Sequence, residues 1–133
     1  MADPVSHVHT MNLIALETGA ELAVASTGVA YSQSFLTPNF SSAALEYQFT
    51  SDGTVDVKVE IESGEDAPAT EGSADTDGYG VGNQISSSIA DENVHWSAPS
   101  PTVSKRLRLK LTGQGSNDAS TKLTKLKLHY VSA

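Results

Sequence analysis

Apolar and polar residues alternate with period two in three stretches of the chain. In TVDVKVEIE, Val55, Val57, Val59 and Ile61 fall on one side, with Asp56, Lys58, Glu60 and Glu62 on the other. KRLRLKL sets Leu107, Leu109 and Leu111 against Arg106, Arg108 and Lys110, and TKLKLHYV sets Leu126, Leu128 and Tyr130 against Lys125, Lys127 and His129. Each pattern predicts a strand with one buried and one wet face, as in antiparallel sheets. SAALEYQF adds a fourth strand with Leu45, Tyr47 and Phe49 on one face. A two-residue loop after it would pair Phe49 with Asp56. A three-residue loop, Ser51 to Gly53, pairs Phe49 with Val55 and Tyr47 with Val57, so the pattern predicts a hairpin with Gly53 in the left-handed conformation. Leu123 is out of phase with Leu126, which predicts a bulge at Thr124.

Weaker strands are expected at residues 8–16, 21–25, 29–35 and 85–89, with irregular segments at 63–83, 91–102 and 112–120. No window carries a sustained helical period with caps. The reading is all-β: an antiparallel β-sandwich of jelly-roll type with seven or eight strands, an immunoglobulin-like sandwich being the alternative. No repeat or composition break divides the chain, so residues 1–133 read as one domain, with 1–10 as a candidate N-terminal arm.

Composition narrows the function. The 133 residues include no cysteine, which excludes disulfides, thiolate metal sites and a cysteine nucleophile. A net charge of −8 argues against nucleic-acid binding, which needs a positive surface. No basic segment precedes an apolar run, so no signal peptide is expected, and no run of about 20 apolar residues predicts a membrane span. The charge is unevenly placed: residues 1–104 hold 15 acidic residues and only Lys58 as a base, while 105–133 hold seven basic residues and only Asp118 as an acid. If the last two strands pair, Arg106, Arg108, Lys110, Lys125 and Lys127 share one wet face. Like charges opposed on a sheet repel. They are neutralised either by Asp56, Glu60 and Glu62 of a neighbouring strand or by an acidic partner.

Candidate chemistry is sparse. The loop ESGEDAPATEGSADTDGYG is rich in carboxylates, but Asp75-Thr76-Asp77-Gly78 lacks the distal glutamate of an EF-hand, so a solvated loop without bound calcium is expected. His7 and His9 project from one strand face without an identifiable third ligand, and no metal is assigned. Trp96, beside His95 and ahead of Pro99 and Pro101, reads as a core or interface anchor rather than a sugar platform. There is no nucleophile elbow and no phosphate loop, since Gly78, Gly80 and Gly82 are not followed by a helical pattern. No enzyme activity and no cofactor are expected.

The acidic, cysteine-free chain, with SSAALEYQFTSDGTVDVKVEIES, a long loop, and SKRLRLKLTGQGSNDASTKLTKLKLHYVSA as closing strands, resembles small virion structural proteins of tailed bacteriophages, in particular capsid decoration (cement) proteins. The resemblance covers residues 42–133 in style. It implies a protein made in the host cytoplasm that binds the outside of the phage head, clamps neighbouring major capsid subunits and forms a homo-oligomer, a trimer being favoured. Three contact surfaces are expected on that basis: the arm at Pro4, Val5 and His7, the basic face of Arg106, Arg108, Lys125 and Lys127, and the loop aromatics Tyr79 and Trp96. The alternative is a carbohydrate- or receptor-binding module of a phage tail or fibre, marked by aromatics on a face or loop rim. A cellular sandwich domain is the third reading.

Overall fold

The computed structural model describes residues 8–13, 22–68, 70–72, 79–97 and 105–132. Among them are ten strands and no helix: β1 (Val8–Asn12), β2 (Leu22–Ala23), β3 (Val29–Tyr31), β4 (Phe35–Leu36), β5 (Phe40–Thr50), β6 (Val57–Gly64), β7 (Gly80–Ile89), β8 (His95–Ser97), β9 (Arg106–Gly113) and β10 (Lys122–Ser132). They form two antiparallel five-stranded sheets. Sheet I has the order β1-β10-β5-β8 with β2 also on β10, and sheet II the order β3-β9-β6-β7 with β4 also on β9. Counting β1/β2 and β3/β4 as two interrupted strands gives eight positions, arranged 1-8-3-6 and 2-7-4-5. This double Greek key is the jelly roll that the alternation and turn signals predicted.

The predicted apolar phases hold. Leu45, Tyr47 and Phe49 of sheet I, Val57, Val59 and Ile61 of sheet II, and the leucines of β9 and β10 fill the space between the sheets. Each such side chain contributes roughly 1.5–3 kcal/mol by leaving water. The bulge is at Thr124, where the β10–β5 register shifts between Leu123 and Lys125. Tyr31 of β3 lies outside this core. It pairs with Lys110 on the outer side of sheet II.

Two predicted pairings are corrected. β5 and β6 do not form a hairpin: β5 lies in sheet I and β6 in sheet II, so Phe49 and Val57 meet the core from opposite sides. Residues 51–56 cross between the sheets, and Gly53 does not have positive φ. It is instead a close approach, since a Cβ there would lie 2.8 Å from Asp118 Cγ. The last two strands do not pair either. β9 is in sheet II and β10 in sheet I, which splits the expected basic face in two.

Four crossovers, 24–28, 51–56, 90–94 and 114–121, join strands of equal rank in the two sheets. Asn117, 3% exposed, stitches three of them together, its own 114–121 to 51–56 and 24–28: its Oδ1 accepts from Asp56 N at 3.0 Å and its Nδ2 donates to Val24 O at 3.0 Å. Gln114 N donates to Asp56 O and Gly113 N to Gly28 O. The interrupted strands β1/β2 and β3/β4 therefore share one flank of the sandwich, and β7 and β8 the other.

Candidate binding surfaces

The six expected site residues that are described fall into two groups on opposite sheets. On sheet II, Arg108 belongs to the polar phase of β9 yet is 1% exposed. Its Nε donates to Glu62 Oε1 at 2.8 Å from the neighbouring strand. Its guanidinium lies 4.2 Å from the ring centre of Tyr31 and 4.6 Å from that of Tyr79. Cation–π contact on both rings, with a buried carboxylate at the edge, satisfies a charge that burial alone would make costly. Tyr79 reaches this position over Gly64, where a Cβ would come within 2.6 Å of its ring, and its hydroxyl donates to Asp66 O at 2.8 Å. Arg108 and Tyr79 are thus internal to a stack. They do not form an open docking face.

Arg106, two residues earlier, is tied down in the same region. Its Nε donates to Ser34 Oγ at 3.0 Å, and Nη2 lies 3.9 Å from Glu71 Oε2. Glu71 also accepts from Ser34 N at 2.8 Å and Ser34 Oγ at 2.6 Å. The acidic loop is held here to the junction of β3 and β4 by neutralising contacts. The expectation that strand 54–62 supplies carboxylates to the β9 bases is met at Glu62–Arg108; Glu60 is the register partner of Lys110, with Lys58 Nζ of its own strand 3.8 Å from its Oε1.

On the outer face of sheet I the structure brings Trp96, Lys125 and Lys127 together. Cross-strand partners share a face, and one row reads Asn12, Lys127, Glu46, Trp96 across β1, β10, β5 and β8. Trp96 is 58% exposed and leans on His129, ring centres 5.2 Å apart. His129 is fixed at both nitrogens: Nδ1 is 2.9 Å from Thr10 Oγ1 and Nε2 is 2.8 Å from Glu46 Oε1. Ala44 lies opposite His129 on β5, and its small side chain leaves the imidazole room. The hydrogen bond from His129, with Lys125 Nζ 3.4 Å from Oε2, holds the Glu46 carboxyl below its ordinary value against the opposing effect of burial. Trp96 is therefore no core residue.

On the inner side of the same edge, His95 stacks on Tyr47 with ring centres 5.6 Å apart, and its Nε2 lies 2.8 Å from Asp91 Oδ1. The Asn93 backbone N–H and then His95 lower the Asp91 carboxyl. Burial raises the Tyr47 phenol, offset in part by its hydroxyl contact with Ser97. Residues Thr10, Glu46 and His129 were not singled out from the sequence. Their only signal was polar phase on three separate strands.

Five large apolar side chains are conspicuously exposed among the described residues. Val8 (56%), Val29 (51%) and Leu36 (57%) belong to β1, β3 and β4, the flank of interrupted strands, while Val94 (38%) and Trp96 belong to the opposite flank. Pro4, Val5 and His7 lie outside the described residues, as do Asp75 and Asp77 of the acidic loop. Residues 8–10 of the expected arm are in fact strand, with Val8 opposite Val131 and His9 stacked on Tyr130 at 5.0 Å. No group of three or more His, Asp or Glu that could hold a metal occurs among the described residues. No protein-family model matches this chain, and no curated protein sequence is significantly similar to it.

Proposed function

We propose that the protein is a non-catalytic structural component of a virion, of the capsid-decoration type, which attaches to the outside of a phage head through its flank of interrupted strands. The observation that carries this reading is the exposure of Val29 and Leu36 on the short edge strands β3 and β4 of that flank. Among the described residues, the strands β1, β2, β3 and β4, two to five residues long, form the edge of both sheets on this flank. An extended segment of a major capsid subunit could add to such an edge, with the aliphatic side chains as anchors and the backbone ladder as glue. Each copy that binds the assembled lattice but not its dissociated subunits stabilises the lattice by its binding free energy.

The jelly roll agrees with this reading without deciding it, since viral capsid proteins and lectins both use it. Co-sedimentation with heads lacking the protein tests the assignment. Leu36→Glu combined with Val29→Glu changes only exposed side chains, so the variant should fold and no longer sediment with heads. Undiminished co-sedimentation would remove this flank from the account.

A further inference from the structure

We propose that the outer face of sheet I is a saccharide-binding platform centred on Trp96, a binding activity separate from the attachment flank. Trp96 exposes its indole on a polar sheet face and is held there in a defined pose. Trp96 rests against His129, and His129 is fixed by Thr10 on one side and Glu46 on the other. Three strands thus cooperate to orient one aromatic ring. Preorganisation of this kind reduces the entropy lost on binding.

The surroundings favour a sugar over a peptide or an apolar ligand. A pyranose has one face of C–H groups, which stacks on an aromatic ring, and a rim of hydroxyls that needs donors and acceptors. In the row shared with Trp96, Glu46 supplies carboxylate oxygens, Lys127 an ammonium and Asn12 an amide. Lys127 stands two strands from Trp96, about 9.5 Å at the usual spacing of sheet strands, so its contact is with a second ring. Beside this row lies a shallow depression of about 190 Å³ lined by Val8, Ser42, Ala43, Ala44, His129, Tyr130 and Val131. Its lining combines the small Ser42, Ala43 and Ala44 with apolar and aromatic side chains and is open to solvent, which suits the C–H face of a sugar lying across the strands. Glu46 is paired within the face with Lys125, so the platform does not repel acidic sugars.

Trp96 is the only tryptophan of the chain, which makes its fluorescence a direct reporter of this site. The full-length protein is screened on an array of bacterial, plant and animal glycans, and the best oligosaccharide is then titrated against it while Trp96 emission is recorded. The expected result is saturable binding with a shift in emission. On the same array Trp96→Ala should lose the binding signal, and by calorimetry His129→Ala should weaken affinity at least about tenfold, both with unchanged circular dichroism. Absence of glycan binding by the wild-type protein, or retention of full affinity by Trp96→Ala, overturns the proposal. Co-sedimentation of Trp96→Ala with heads is measured in parallel and should match the wild type. Its loss would show that Trp96 contacts the lattice, which also overturns the platform as a separate site.

Discussion

Arg108 and Glu62 form a buried ion pair on the outer side of sheet II, Nε to Oε1 at 2.8 Å, with the two side chains 1% and 9% exposed. Tyr31 and Tyr79 close over the guanidinium from β3 and from the segment entering β7. Replacing Arg108 by Met removes the cation and leaves the carboxylate of Glu62 buried beside two phenol rings. The expected cost is about 3–5 kcal/mol, read from urea denaturation. Adding Glu62→Leu should restore much of that loss, because the remaining desolvated charge is then gone. A single variant as stable as the wild type would mean that the pair is solvated in solution.

Gly113 and Gly115 make a matched test of how tightly the crossovers are sewn together. A Cβ on Gly113 would lie 2.1 Å from the carbonyl oxygen of Ala25, a backbone atom that cannot rotate away. Gly113→Ala should therefore cost about 1–3 kcal/mol or more through displacement of the 24–28 crossover. Nothing lies within 4 Å of a Cβ on Gly115, so Gly115→Ala should be neutral or stabilise by up to about 1 kcal/mol through a less flexible unfolded chain. Thermal melts of the two variants side by side check both signs.

The Glu46 carboxyl titrates below its ordinary value of 4.5, chiefly because it accepts a hydrogen bond from His129. A carboxyl depressed in the folded state contributes stability that is fully present above the unfolded value and disappears as pH falls through the lowered one. Wild-type melting temperature should thus lose a component below about pH 4.5, and Glu46→Gln should lack that component while differing little in shape elsewhere. Melts from pH 7 to pH 3 decide it, and identical acid limbs for the two proteins would contradict the assignment. Asp118, lowered by the Ser120 hydroxyl and backbone N–H, and Asp91 act in the same direction below their ordinary value of 3.8, so the Glu46 component is read as a difference between the two curves.

Alternation revealed which side of each strand meets the core and left open which sheet the strand joins. Phe49 and Val57 illustrate why. Their phases are satisfied equally by pairing in a hairpin and by facing one another across a sandwich, and six linker residues permit both. The same ambiguity produced the expected basic face: Leu109 and Leu126 are both inward, but from opposite sheets, so Arg108 and Lys127 point away from one another. The bulge at Thr124 was legible because a phase slip within one strand has a single structural meaning. Arg108 showed as a polar-phase residue, but its burial depends on Tyr31 and Tyr79, which arrive from the three-residue strand β3 and the segment entering β7, both too short to show a period. The His129 cluster draws on β1, β5, β8 and β10, and no local pattern connects residues so far apart in the chain.

The attachment flank and the Trp96 face predict separable defects. Leu36→Glu with Val29→Glu should abolish association with heads and leave glycan binding intact, while Trp96→Ala should do the reverse. The two variants, assayed for both activities, give a two-by-two outcome, and loss of both activities in either variant with the fold intact would contradict the separation of the surfaces.

The most direct test of the central claim is immunogold labelling, with an antibody to this chain, of particles purified from the native source. Decoration of icosahedral heads at many sites per particle is the predicted result. Gold confined to tail tips, or particles carrying none, would contradict attachment to the capsid exterior.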